Sequence, residues 1–164
     1  MFERYSQKAK RAIFFARYQA SQFGTPDIDT EHLLLGILSQ DRDLLPSLAG
    51  PDVNETIRAR IRQQYPARDR IPTSADLPFS EAGIRVLKYA AEEADRLGSR
   101  TIKHKHLLIG LLREEDCPAT TILKELGVTR EAIIHSRIPG GRVTGKAAPN
   151  ITTSPSRVRA RWSS

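Results

Sequence analysis

The stretch that most suggests catalytic chemistry is a glycine-rich string near the C-terminus. Gly140, Gly145 and Lys146 have the spacing of a phosphate-binding loop, in which backbone N–H groups and a lysine hold the phosphates of ATP. Ala147 stands where that loop needs a hydroxyl for Mg²⁺, and Pro149 follows where a helix should begin. The string is better explained as a glycine-rich linker, and we expect no ATP binding.

Metal and nucleophile chemistry have little support. His104 and His106 flank one lysine, but no further cysteine or carboxylate ligand for zinc lies near them in the sequence. Cys117 has no evident base that would activate it. We expect His32 and His106 to be packed or helix-capping residues, and we expect neither an enzyme nor a bound cofactor or metal.

One segment occurs twice and organises the chain. Residues 31–38 and 105–112 both read His-Leu-Leu-(Leu/Ile)-Gly after their first residue, at an offset of 74. Ser6 pairs with Ser80 at the same offset, and the matches downstream continue at 77. Self-similarity at a fixed period indicates a duplicated structural unit.

The positions of apolar residues predict helices throughout both copies. Apolar residues recur at three- and four-residue spacing, and 33–38 and 107–112 are apolar nearly all round, as expected of central buried helices. The fold class predicted is all-α, as two tandem four-helix repeats with no strand. The expected helices are 3–23, 31–40, 44–49, 53–64, 81–97, 104–114, 118–126 and 130–137. The expected N-caps are Ser6, Thr30, Asp52 (in a capping box), Ser80 and Thr129.

The composition divides the chain into four parts. They are a first repeat (1–65), a proline-rich linker (66–78), a second repeat (79–138) and a basic tail (139–164). The tail holds five basic residues and no acidic ones, and so accounts for most of the net charge of +7. It has too few apolar residues to offset its ordering entropy, and we predict that it is disordered.

Composition also limits the class of protein. Hydrophobic residues make up 39% and charged residues 27% of the chain, as in soluble globular proteins. No apolar run approaches the roughly 20 residues that span a bilayer, so no membrane partner is expected. A single cysteine excludes an internal disulfide and favours the cytoplasm.

The repeated unit resembles the Clp repeat domain, the N-terminal module of ClpC- and ClpA-type chaperone ATPases. The resemblance covers about 2–138 and rests on residues 2–6, 16–24 and 30–36 in the first copy, and on 90–98, 106–112 and 126–128 in the second. It implies two four-helix units that pack as a pseudo-symmetric pair and receive substrates and adaptors for an attached ATPase. We expect the ATPase modules to be absent here, so that the chain is a free-standing accessory protein or an excised N-domain.

The predicted binding residues lie at helix starts, where backbone N–H groups and the helix dipole favour a phosphate or carboxylate. They are Ser6, Gln7, Thr30 and Glu31 in the first copy, and Ser80, Glu81, His104 and Lys105 in the second, all expected on exposed faces. The resemblance implies that Glu31 helps to receive arginine-phosphorylated substrates, although the helix dipole alone explains an acid at this place. Lys105 reverses the charge, so we expect the second site to prefer acidic segments.

The partner itself is left open by the sequence. A protein partner is expected, namely a substrate, an adaptor or a Clp ATPase, with a phosphoarginine-like ligand at Glu31. The alternative is nucleic-acid or acidic-partner binding through the basic tail, where Arg157, Arg159 and Arg161 alternate with other residues before Trp162.

Overall fold

The computed structural model describes residues 2–136, and these form eight helices and no strand. The all-α prediction is confirmed, and every predicted helix is present. The helices are α1 (Gln7–Phe23), α2 (Thr30–Gln40), α3 (Leu44–Ala49), α4 (Val53–Gln64), α5 (Glu81–Arg96), α6 (His104–Arg113), α7 (Pro118–Glu125) and α8 (Arg130–His135). The tail, the phosphate-loop-like string and the end of the last predicted helix lie outside the described residues.

Each repeat is built on one very close helix crossing. In the first, α2 packs on α1 so closely that a Cβ atom on Gly36 would lie 2.0 Å from the carbonyl oxygen of Ala12. In the second, a Cβ on Gly110 would lie 2.6 Å from the carbonyl oxygen of Val86. The recurrence of this glycine, which is unfavourable inside a helix, therefore reflects the contact of two backbones. The central helices α2 and α6 also pack on each other and form the middle of one common core.

The two repeats are joined by backbone pairing that crosses between them. The N–H of Ser6 donates to the carbonyl of Ile102 (3.0 Å), and the N–H of Ile102 donates to that of Arg4 (2.8 Å). The same pattern recurs where Ser80 donates to Ile28 (3.0 Å) and Ile28 donates to Pro78 (2.8 Å). The segment before α1 is thus paired with the segment before α6, and the segment before α5 with the segment before α2.

The proline-rich segment 66–78 is fastened to α1. The N–H of Ile71 donates to the carbonyl of Ser21 (2.9 Å), and the Arg17 guanidinium donates to the carbonyl of Ala75 (2.6 Å). Gly24 has φ of 72°, and a Cβ there would lie 2.3 Å from the carbonyl oxygen of Asp69. The connection between the repeats therefore runs along the first helix.

Three local predictions are corrected. The first helix begins at Gln7 rather than at residue 3, because residues 4–6 are engaged with Ile102. Asp29, not Thr30, is the N-cap of α2, and its carboxylate accepts the N–H of Thr30 at 2.8 Å. Asp52 makes no side-chain capping bond, because it has φ of −97° and ψ of 7° rather than the extended backbone typical of an N-cap. The predicted caps Ser6, Ser80 and Thr129 are confirmed.

Candidate functional site

The crossed pairing brings helix starts together in two places. Because the segments before α1 and α6 are paired, Ser6 and Gln7 lie beside the start of α6, at 103–105. We call this set, Ser6, Gln7 and 103–105, the basic junction. Because the segments before α5 and α2 are paired, Ser80 and Glu81 lie beside 29–31, and we call this second set the acidic junction.

The basic junction carries two lysines. The Ser6 hydroxyl caps α1 by accepting the N–H of Ala9 at 3.1 Å. Lys103 is exposed and Lys105 is half-buried. Burial of Lys105, aided by the positive charge of Lys103, lowers the pKa of its ammonium group. An anion placed here would meet two cationic side chains and the N-termini of two helices.

The acidic junction is more extensively hydrogen-bonded. The Ser80 hydroxyl accepts the N–H of Gly83 (3.0 Å) and donates to the Asp29 carboxylate (2.8 Å), which ties the two repeats together. Glu31 accepts hydrogen bonds from the hydroxyl of Thr30 (2.6 Å) and from the hydroxyl of Tyr65 at the end of α4. Burial and the hydrogen bond to Glu31 raise the pKa of Tyr65. Tyr65 is therefore a protonated donor held against the acid.

The expected exposure of the predicted site residues is wrong for three of them. Thr30 is 0% exposed, Glu31 is 4% exposed and His104 is 5% exposed. Gln7 and Glu81 are exposed as expected, while Ser6, Ser80 and Lys105 are half-buried. The grouping also changes, because each junction draws one helix start from each repeat instead of both from the same repeat.

His32 and His106 cap helices at equivalent positions, as the sequence predicts. The N–H of Asp29 donates to Nδ1 of His32, and the N–H of Lys103 donates to Nδ1 of His106, both at 2.9 Å. Burial lowers the pKa of each imidazole to about 4. The negative charge of Asp29 partly opposes this shift at His32, whereas the positive charges of Lys105 and Lys103 add to it at His106. Both rings are neutral at pH 7 and serve the fold.

His104 links the two repeats through a buried carboxylate. Its Nε2 atom lies 2.6 Å from Asp41, just beyond the end of α2. Asp41 also accepts the N–H groups of Asp43 and Leu44, at 2.9 and 2.8 Å. Burial raises the pKa of Asp41, but hydrogen bonds from His104, Leu44 and Asp43 and the charge of His104 outweigh burial and lower it to about 2.

An apolar groove opens beside the acidic junction, and the sequence analysis missed it. Its volume is about 320 Å³. It is lined by Phe2, Lys10, Ile13, Phe14, Arg17, Ile28, Asp76, Leu77 and Phe79. The side chain of Phe14, at the edge of this groove, is 71% exposed. Phe14 and Tyr18 lie off the buried stripe of α1 at a four-residue spacing, and this pair of aromatic residues on the polar face was the available signal.

The described residues offer little for metal or thiol chemistry. They contain no group of three or more His, Cys, Asp or Glu side chains that could hold a metal ion. The thiol of Cys117 is buried and donates to the carbonyl of Glu114 at 3.2 Å, so it is packed rather than presented. No helix within 2–136 is both long enough and apolar enough to cross a membrane.

Comparisons with known proteins agree with this architecture. Residues 4–131 match the family model described as the Clp repeat (R) N-terminal domain. Chaperone protein ClpD2, chloroplastic, of Oryza sativa subsp. japonica is 30% identical over 152 residues, covering 90% of this chain and 16% of that protein. Chaperone protein ClpC, chloroplastic, of Pisum sativum is 30% identical over 155 residues, covering 94% and 16%. The chain thus spans about one sixth of the length of these relatives.

Among solved structures, the N-terminal domain of the caseinolytic protease associated chaperone ClpD from Arabidopsis thaliana superposes with a TM-score of 0.66. It is 27% identical, and the match covers 82% of this chain and 94% of that one. The N-domain of ClpV from Vibrio cholerae has a TM-score of 0.65 at 19% identity, over 79% of this chain and 80% of that one. The second likeness concerns the fold alone.

The buried Asp41 gives a prediction for acid stability. Because its pKa in the folded protein is below the ordinary value of 3.8, Asp41 stabilises the fold above pH ~4 and loses this contribution as the pH falls towards 2. We expect Asp41→Asn to cost about 3 kcal/mol at pH 7, as for other broken buried pairs, and to flatten the pH dependence of unfolding between pH 4 and 2. Asp43→Asn, at an exposed site, is the control. Equal acid sensitivity of both variants in urea titrations would contradict the assignment.

Proposed function

Because the chain belongs to the Clp repeat N-terminal domain family, we propose that it is a non-catalytic docking module for a Clp chaperone or protease system. Its partner there is a substrate, an adaptor or the ATPase itself, and an accessory role in such a system is part of the proposal. A reducing compartment such as the cytoplasm is part of the proposal, because the single cysteine of the chain cannot form an internal disulfide.

The observation that carries the proposal is the apolar groove with Phe14 at its edge. A phenylalanine side chain gains about 1.5–3 kcal/mol when it is fully buried, so its exposure beside other aromatic side chains favours a partner that covers it. Lys10, Arg17 and Asp76 give the groove a polar rim. A polar rim around an apolar centre is the usual anatomy of a protein interface.

We propose further that the two junctions contribute charge preference beside the groove. The basic junction, through Ser6, Gln7 and Lys105, would favour anions. The acidic junction, with Thr30, Glu31, Ser80 and Glu81, would favour a cationic group such as a guanidinium. Since Tyr65 and Thr30 already occupy the Glu31 carboxylate, a guanidinium must displace at least one of these bonds to reach it.

The groove is tested by replacing its exposed aromatic residue. We expect Phe14→Ser to change the free energy of unfolding by no more than ~0.5 kcal/mol, because the side chain is exposed, but to weaken partner binding by about 2 kcal/mol, or roughly 30-fold. Leu97→Ser, at another exposed apolar residue, is the control. Proteins retained by the immobilised chain would be identified, and the affinity of one purified partner measured with each variant.

The same assay separates docking from binding through the tail. A chain without residues 139–164 should retain its partners if the groove binds them. Salt-sensitive binding that disappears with the tail and ignores Phe14→Ser would instead support the nucleic-acid or acidic-partner alternative. That result would contradict the proposal.

Phosphoarginine tests the charge preference of the junctions. We expect NMR shifts at the acidic junction that are lost in Glu31→Ala and enlarged in Tyr65→Phe, because removing the tyrosine hydroxyl frees the carboxylate. Lys105→Glu should remove shifts at the basic junction only. Glu31→Ala leaves the Tyr65 hydroxyl without its partner, which costs about 1–3 kcal/mol, so its fold is checked by circular dichroism. Equal weak shifts in the intact protein and all three variants would leave Glu31 with a structural role alone.

A further inference from the structure

The second repeat contains a carboxylate that is completely buried and surrounded by arginines. Glu93 on α5 is 0% exposed. Arg96 and Arg113 donate to one of its oxygens at 2.9 and 3.1 Å, and Arg130 donates to the other at 2.7 and 3.0 Å. Charge-assisted bonds from several arginines satisfy this acid and make its burial tolerable.

The matching positions in the first repeat hold neither the acid nor two of its three arginines. At the repeat offset of 74, Gln19 stands for Glu93, Gln22 for Arg96 and Ser39 for Arg113. The smaller, uncharged set leaves a cavity of about 140 Å³ between α1, α2 and α4. It is lined by Phe15, Gln19, Phe23, Leu35, Ser39, Arg58 and Arg62.

The charge of this cavity is unbalanced. Two guanidinium groups, of Arg58 and Arg62, line it, and no acidic side chain does. Among the described residues, the Arg58 guanidinium pairs only with Glu55, at 3.2 Å. The Glu55 side chain is 81% exposed, so this ion pair has a small value. The Arg62 carbonyl accepts the N–H of Tyr65, but the Arg62 guanidinium forms no hydrogen bond or ion pair with any residue in the described range.

We propose that this cavity binds the carboxylate of an aspartate or glutamate side chain from an acidic segment of a partner protein. The incoming acid would lie between Arg58 and Arg62 of the first repeat. It would occupy the place that corresponds to the one that Glu93 fills in the second repeat. Phe15, Phe23 and Leu35 supply an apolar wall for a neighbouring side chain of the same segment. The inference rests on the proposed docking function and adds to it a second contact, distinct from the groove at Phe14.

The test uses the full chain, labelled with ¹⁵N, and two blocked dipeptides that differ only in charge. Acetyl-Glu-Phe-amide should shift the guanidinium signals of Arg58 and Arg62 and the side-chain amide of Gln19. Acetyl-Gln-Phe-amide should bind at least ten-fold more weakly, since it cannot form charge-assisted bonds. Acetyl-Phe, whose carboxylate is terminal, should also bind more weakly, and tighter binding of that probe would overturn the assignment to a side chain.

Two variants remove the site in opposite ways. Gln19→Glu supplies the acid from within, as Glu93 does, and Arg62→Ala removes an exposed cation. Each should weaken the binding of acetyl-Glu-Phe-amide at least ten-fold. Arg42→Ala, at an exposed arginine outside the cavity, should leave its affinity unchanged. Unchanged affinity in both variants, or equal affinity for the two blocked dipeptides, would overturn the proposal. Phe14→Ser should leave this binding intact, so this inference and the groove proposal can fail separately.

Discussion

The structure depends on the backbone pairing that crosses between the repeats. Two segments of each repeat place their N–H and C=O groups against the other repeat, at Ser6 with Ile102 and at Ser80 with Ile28. A buried backbone group without a partner is costly, so these bonds fix how the two halves meet. They bring helix starts of different repeats together and place Phe79 beside Phe2 and Phe14 in one groove.

Duplication kept the backbone and let the charges diverge. The close crossing at Gly36 recurs at Gly110 because both need two backbones in contact. Side chains at the helix starts have no such constraint, and the buried Glu31 in one copy corresponds to the half-buried Lys105 in the other. The outcome is one scaffold with two junctions of opposite charge.

The helices were predictable because their signals are local. Apolar spacing, Ser6 and Ser80 as caps, and the left-handed Gly24 act within a few residues of each other. Long-range contacts were not predictable from one sequence. The burial of Glu31 depends on Tyr65, 34 residues away, and the start of α1 depends on Ile102. The repeat was visible, but its period cannot show which helix starts meet across it.

The crossed pairing is tested most directly by native-state hydrogen exchange of the four amides that form it, at Ser6, Ile28, Ser80 and Ile102. Each of these amides donates to a segment that leads into a helix of the other repeat, so the account ties their opening to separation of the repeats. The account predicts that all four exchange only through an opening that also exposes the core amides of α2 and α6. Fast exchange of these four amides, while both central helices stay protected, would show that the pairing opens without loss of the common core and would contradict the account.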